Sequence, residues 1–511
     1  MEVSSSKNNI VLTTFNAKYI HTSIGLRYLL ANLKDLKETS CILEFGINDN
    51  ISQTAEKILS NSPCIVGIGV YIWNALQVSE LVSTIKKVSP KTKVILGGPE
   101  VSHLPLRVDF CQADYIIQGE GEVTFYKLCK ALIDNSTISE EKIIKSETPE
   151  IKEIELPYRY YTDKDIKDRI IYVEASRGCP FRCEFCLSSI DKKVRYFNLS
   201  KLLQEIELLW QKGARSFKFI DRTFNLRSES TNQILDYFLK KEPEYFIHFE
   251  VVPDQLEEST KERLKQFPEA AIQLEVGIQT LNPKTAENIS RKLNFEKIKE
   301  NLEFLQRSTK VYLHVDLIIG LPGESIESFA ENLNQLTHLT NSEIQLGILK
   351  KLSGTTISRH DERFGMVYSD TPPYEILQND LISFQMMQKM KRFARFWDLV
   401  YNSGNFQSTI KLILDSDDVF SNFFSFSEWI YSQTESTWQI SQLRMAELIF
   451  NYLVVLRKKD KAEAADSLIV DMFRTNNRNV PRFLKDSSSG ISTEQKKSEL
   501  NKINKRQKKH L

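Results

Sequence analysis

The sequence predicts an α/β protein in three parts: a parallel sheet with helices on both faces, a partial (β/α)6 barrel, and an α-helical C-terminal domain. Three observations predict it. Short apolar runs alternate with stretches of helical spacing from Asn9 to about Leu132. The alternation resumes at Ile170 and runs to Ile348, and from about Asp370 the apolar residues recur only at helical spacing. Regular strand–helix alternation implies a parallel sheet, because each return to a parallel strand needs a crossover.

In the first part, strands are expected at Ile10–Phe15, Ser40–Phe45, Cys64–Val70, Lys93–Leu96 and Asp114–Ile117. Helical spacing covers Ser23–Leu33, Ser52–Leu59, Ala75–Val88 and Glu122–Leu132. Sheets of this kind bind ligands beyond the C-terminal ends of their strands. Those ends carry Asn16 and His21, then Val70-Tyr71-Ile72-Trp73, Gly97-Gly98-Pro99-Glu100 and Gly119-Glu120-Gly121-Glu122. Glycines there allow close backbone approach to an extended ligand. None forms a Gly-x-Gly-x-x-Gly fingerprint, which argues against a nicotinamide cofactor. Residues 136–168 are rich in Ser, Glu and Lys, punctuated by Pro149 and Pro157, and read as a linker.

The chemistry is concentrated just past the next strand, Ile170–Val173, in Glu174-Ala-Ser-Arg-Gly-Cys179-Pro-Phe-Arg-Cys183-Glu-Phe-Cys186. Gly178 and Pro180 break the strand, so the cysteines fall on a loop that can wrap around one object. Three thiolates at this spacing can bind three irons of a [4Fe–4S] cluster and leave the fourth open to a substrate. A structural zinc site needs a fourth ligand, and no Cys or His occurs in the sixty residues after Cys186. An odd count of seven cysteines without a secretory leader also fits a disulfide framework poorly.

Further barrel strands are expected at Ser216–Ile220, Tyr245–Val251, Ala271–Gly277, Val311–Ile319 and Glu343–Ile348, with a helix at Leu202–Trp210. Barrel chemistry sits at strand C-termini. The helical part is expected to begin with one helix from Pro373 to Asp398 and to continue to Leu456. Its aromatic segment Phe393, Phe396, Trp397, Tyr401 and Phe406 is positioned to fold over the barrel opening or to pack on its wall. Residues 476–511, with a basic run at Lys502–His510, read as a solvated tail.

At the three cysteines the sequence resembles the radical S-adenosylmethionine (SAM) superfamily, including the aromatic Phe185 before the third. The glycine loops ahead of them resemble its cobalamin-binding branch, in a subgroup with a helical C-terminal region of unassigned role. The resemblance implies a Rossmann-like cobalamin-binding domain over 1–135, a radical SAM partial barrel over 169–365 and a helical domain over 366–475. It makes Cys179, Cys183 and Cys186 ligands of a [4Fe–4S] cluster whose open iron chelates SAM. It places Asp221 where the family meets the SAM amino group, although the family's glycines are missing there. Gln279 and Arg291 match a Gly-x-Gln-Ser…Arg pattern in which the arginine pairs with the SAM carboxylate. Ile318 and Gly320 belong to the segment that lies against adenine, and Glu250 stands within reach of ribose. Asn16, His21, Tyr71, Gly97, Gly98, Pro99, Gly119, Glu120 and Gly121 are the cobalamin-binding candidates. No Asp-x-His-x-x-Gly occurs, so cobalamin is expected base-off with no histidine ligand.

The implied activity is reductive SAM cleavage to a 5′-deoxyadenosyl radical, used for methyl transfer to an unactivated carbon of an unspecified substrate. Oxidation or rearrangement without methyl transfer, or methylthiotransferase-like RNA modification, are the alternatives. The last is disfavoured, because Cys41, Cys64 and Cys111 lie far apart and the C-terminus is helical. A flavodoxin or ferredoxin is the expected electron donor. Formal charge is +1 with acids and bases mixed, which argues against nucleic acid. No membrane span, a cytoplasmic location and a monomer are expected.

Overall fold

The structure is a computed structural model that describes residues 9–136, 141–475 and 480–490. The chain forms two compact units. One holds the residues up to Leu274 with Lys350–Arg359 and Tyr368–Glu375; the other holds Glu275–Leu349, His360–Val367 and the chain from Ile376 onward.

In the first unit, β1 (Ile10–Asn16), β2 (Ser40–Gly46), β3 (Ile65–Gly69), β4 (Lys93–Gly97), β5 (Tyr115–Gln118) and β6 (Ile143–Lys145) form a sheet in the order β2-β1-β3-β4-β5-β6. Every pairing is parallel. The register Asn16↔Gly46 and Gly69↔Gly97 brings the strand ends into one row. All of β1 is buried, and its period of two sends Val11 and Phe15 into one core and Ile10 and Leu12 into the other. Val78, Leu81, Val82 and Ile85 of the helix Ala75–Val88 fill the first core; Leu26, Leu30, Phe125 and Leu128 fill the second. Each fully buried side chain of this size contributes about 1.5–3 kcal/mol. The stretch 136–168, expected to be only a linker, supplies the sixth strand. Ile143 and Ile144 are too short a run to stand out as a strand, yet they pair with Ile116 and Ile117.

A second sheet follows in the order β14-β13-β12-β11-β10-β7, so neighbours in space are neighbours in sequence. Its strands are β7 (Ile171–Val173), β10 (Ser216–Phe219), β11 (Phe246–Val251), β12 (Ile272–Gln279), β13 (Tyr312–Ile319) and β14 (Glu343–Ile348); β8 (Ser176–Arg177) and β9 (Arg195–Tyr196) make a separate antiparallel pair. Along β13 buried apolar residues alternate with half-buried Tyr312, His314, Asp316 and Ile318, which share one face. This sheet is the partial barrel that the strand–helix alternation predicts.

The helical region departs from expectation at its start. Its first long helix is Phe384–Trp397, not Pro373–Asp398. Pro372 and Pro373 supply no backbone N–H, Ile376–Gln378 is extended, and Ser383 caps the helix by accepting from Met386 N. Phe393 and Trp397 are fully buried. They pack on Phe423 of the helix Val419–Thr434, and Trp397 Nε1 donates to Ile344 O of β14 at 2.9 Å. Tyr401 stacks on Trp397 at 4.2 Å. These rings join the helices to the β14 edge. The basic run Lys502–His510 lies outside the described residues.

Candidate active site

The cysteine loop is built on a narrow neck. Ser176 pairs with Tyr196 and Arg177 with Arg195, and residues 178–194 loop out between them. Gly178 has φ +90°, and a Cβ there would lie 2.5 Å from Lys193 O, so this position requires glycine. The Cys179 N–H donates to Asp191 O at 2.8 Å, and the Cys186 N–H to Cys183 O at 3.1 Å. Cys179 and Cys183 are buried and Cys186 is half-buried. Burial pushes the Cys179 thiol up, and the neighbouring Cys186 and Cys183 add to the rise. Three thiols on one loop, without a fourth Cys or His beside them in sequence and with Glu184 turned to Arg359, fit an iron–sulfur cluster with an open iron. A bound iron centre would reverse the thiol bias and hold the sulfurs as thiolates.

Asp221 follows β10 and is buried. It accepts from Ala175 N at 2.9 Å and Ser176 Oγ at 2.6 Å, and burial pushes its pKa up to about 6 despite these donors. Its carboxylate therefore braces the strand leading into the cysteines. Glu250, late in β11, takes both its contacts from Arg222 Nη1, at 2.9 and 2.8 Å.

In the second unit, Gln279 ends β12 with φ +72°, and a Cβ on Gly277 would meet its Nε2 at 2.7 Å. Arg291 Nη2 donates to Gly277 O, so the two ends of the expected Gly-x-Gln…Arg segment do meet. Ile318 lies on the half-buried face of β13. Gly320 has φ +91°, with Ile376 Cγ2 2.7 Å from the position of its missing Cβ. The buried Glu324 accepts from Thr280 Oγ1 at 2.6 Å and Asn332 Nδ2 at 2.8 Å.

At the N-terminal strand ends, Asn16 Nδ2 donates to Glu44 Oε1 at 3.0 Å, and Glu44 also receives Arg27 and Arg169 at 2.9 Å each. His21 Nδ1 lies 2.8 Å from Tyr172 Oη. Tyr71 stacks on Trp73 at 4.5 Å with an interplanar angle of 6°. Gly97 and Pro99 flank Gly98, whose φ is +112° and whose Cβ would lie 2.6 Å from Val70 O. Gly98 thus lets the loop pack on Val70, while a Cβ on Gly97 or Gly119 would find nothing nearer than 3.8 Å, and that open row of strand ends fits a broad ligand lying across the sheet. Gly119 has φ +86°, and Gly121 precedes the helix that begins at Glu122. Glu120 between them points its carboxylate at Arg177 and Arg195.

Sequence reasoning assigned no role to Arg177, Glu122, Glu174 or Arg195. Arg177 binds Glu120 at 2.6 Å, Glu122 at 2.7 Å and Glu174 at 3.1 Å. Burial pushes the Glu174 carboxyl up to about 7, against the pull of Arg177. The sequence signal was an arginine two residues before the first cysteine and a glutamate 57 residues upstream of that arginine, with no periodicity to connect them.

Three family profiles match the chain: "B12 binding domain" over residues 10–128, "Radical SAM superfamily" over 173–336, and a "Protein of unknown function" family over 362–511. An uncharacterized methyltransferase of Pyrococcus horikoshii is 25% identical over 359 residues, which cover 65% of this chain and 77% of the relative. A ribosomal protein uS12 methylthiotransferase of Chlamydia pneumoniae is 26% identical over 171 residues, covering 31% of this chain and 36% of the relative. The structure of the cobalamin-dependent SAM radical enzyme OxsB with aqua-cobalamin bound superposes with a TM-score of 0.61 at 14% identity, over 97% of this chain and 83% of that one. That likeness is one of fold.

Proposed function

Since the chain belongs to the radical SAM superfamily, in the branch with an N-terminal B12-binding domain, we propose that this enzyme uses cobalamin to transfer a methyl group to an unactivated carbon of its substrate. The observation that carries the reading is the short loop that holds Cys179, Cys183 and Cys186 above a two-stranded neck, following a sheet whose strand ends carry glycines. In this reading the three cysteines hold the cluster, and the cluster with SAM supplies a carbon-centred radical while cobalamin supplies the methyl carrier.

The chain's own residues prepare the site. Gly178 lets the loop turn back on Lys193, and Asp221 fixes its entry strand through Ala175 and Ser176. Arg291, with its guanidinium at the Gly277 carbonyl, is placed to pair with the SAM carboxylate next to Gln279. Gly320 and Ile318 offer backbone and an apolar surface to the purine, and Glu250 is the candidate for ribose. Gly97, Gly98, Pro99, Gly119 and Gly121 let cobalamin approach the strand ends, with Asn16 and Tyr71 at its margin. Cobalamin would be held base-off without a histidine ligand: no Asp-x-His-x-x-Gly exists, and His21 Nδ1 engages Tyr172. The electron donor is a flavodoxin or ferredoxin, and the enzyme works as a cytoplasmic monomer. Among the described residues no helix is long and apolar enough to cross a membrane.

The methylthiotransferase relative favours a second reading, sulfur insertion. Cys41 on β2, Cys64 before β3 and Cys111 after β4 sit on separate segments, which gives that chemistry no second cysteine loop. Anaerobic reconstitution tests both readings. About four irons per chain are expected, lost in Cys183→Ala together with 5′-deoxyadenosine formation. S-adenosylhomocysteine and 5′-deoxyadenosine should form together, whereas a sulfur-bearing product would overturn methyl transfer. Nitrogen superhyperfine splitting in the cob(II)alamin resonance would overturn the base-off assignment.

A further inference from the structure

We infer that Arg177 and Glu120 form a positioning link through which cobalamin seated on the N-terminal strand ends sets the geometry of the cysteine loop. This inference rests on the cluster and cobalamin reading above.

The geometry is that of a clamp. Arg177 and Arg195 are paired residues on the two strands of the loop's neck. Both reach the single carboxylate of Glu120, Arg177 through Oε2 at 2.6 Å and Arg195 through Oε1. One side chain from the Gly119–Gly121 loop thus holds both ends of the segment that carries the three cysteines. The neighbouring contacts stiffen the clamp. Arg195 also binds Asp191 at 2.9 Å, and the Asp191 carbonyl accepts the Cys179 N–H. Arg177 uses its other nitrogens on Glu122 at 2.7 Å and Glu174 at 3.1 Å, while its plane lies 4.7 Å from the Tyr28 ring and 5.5 Å from Phe197. Its side chain is 11% exposed.

Two guanidinium groups face four carboxylates here, Glu120, Glu122, Glu174 and Asp191. Glu122 Oε2 is buried without a hydrogen-bond partner. Such an arrangement has little slack: a shift of the Glu120 loop must move Arg177 and Arg195 or leave buried charge unpaired. Glu120 lies between Gly119, at φ +86°, and Gly121, the residues expected to meet cobalamin. Arg177 lies two positions before Cys179. Displacement at one site is therefore delivered within a few bonds of the other.

The test compares holoprotein carrying the cluster, with and without added cobalamin, by paramagnetic resonance of the reduced cluster and by the Kd for SAM. In the native protein cobalamin should shift the cluster signal and tighten SAM binding several-fold. Arg177→Gln and Arg195→Gln should keep about four irons per chain and bound cobalamin but lose most of both responses, and Arg177→Lys should restore part of them. Should Arg177→Gln fail to fold, Arg195→Gln decides, because there Arg177 keeps Glu120, Glu122 and Glu174 while the other strand of the neck is released. Variants that retain the full cobalamin response would overturn the link, as would a native protein that binds both groups and shows none. Failure of the native protein to bind cobalamin at all would instead overturn the functional reading, and the link with it.

Discussion

The Ser176 hydroxyl donates to Asp221 Oδ1 at 2.6 Å, tying the strand that enters the cysteine loop to the end of β10. Asp221 is a buried carboxylate whose pKa has been pushed up to about 6, against an ordinary 3.8, by desolvation that its donors only partly offset. Its contribution to stability is fully present below about pH 3.8 and is lost as pH rises through about 6. Ser176→Ala removes a donor to the charged form and raises that pKa further. The variant should lose about 1.5–3 kcal/mol at pH 8 but only about 1 kcal/mol at pH 5. Denaturant unfolding at the two pH values measures the difference; equal losses would mean that Asp221 does not titrate in this range.

Gly98→Ala should damage the row of strand ends and spare the barrel. The added Cβ would stand 2.6 Å from Val70 O on a backbone at φ +112°, so the loop must move. The strain is about 1–3 kcal/mol. Cobalamin retained after reconstitution should fall at least about tenfold, equivalent to about 1.4 kcal/mol, while iron content stays native. Full retention of cobalamin would place it elsewhere.

Glu324 supplies a pH signature of the second unit. Oε1 accepts from Thr280 and Asn332, Oε2 is buried with no partner, and burial pushes the pKa up to about 8 from 4.5. The folded-state pKa is the higher one, so this group's stabilisation is complete below about pH 4.5 and is lost as pH rises through about 8. Glu324→Gln keeps the acceptor for both donors and removes the ionisation. It should match the native protein near pH 4.5 and exceed it by about 2–4 kcal/mol at pH 8. Parallel stability curves for the two proteins would refute the assignment.

Trp397→Ala should cost about 3–5 kcal/mol, since the ring is fully buried, packs on Phe393 and Phe423, and donates to Ile344 O. The ratio of SAM cleaved to product formed should not change. Uncoupled SAM cleavage in a folded variant would mean that the ring also shields the reaction.

What could be read in advance followed from periodicity and spacing. The strand at Glu343–Ile348 and the helix Ala75–Val88 fall on their expected bounds because alternation of period two and apolar residues at helical spacing announce themselves. Three cysteines on one short loop are a local signal, and so are the glycines at strand ends. The sixth strand escaped because two isoleucines among lysines show no period. Phe393 and Trp397 were legible as aromatics, but whether they face a pocket or a helix depends on Phe423 and Ile344, which lie far off in sequence. The Arg177 clamp was hidden for the same reason: its partners come from a loop whose glutamates carry no pattern of their own.

The sixth strand changes where this protein can be cut. A fragment ending near Asp134 matches the apparent end of the first domain, yet it would strip β6 from β5 and leave the Ile116–Gln118 edge bare. An open, apolar strand edge templates pairing with other chains. The same cut removes Asp165 and Arg169, leaving Arg27 and Glu44 facing each other in a pocket built for four charges. The isolated sheet should therefore aggregate, whereas a fragment carried through Arg169 retains both the edge strand and the charge network that the sheet was folded around.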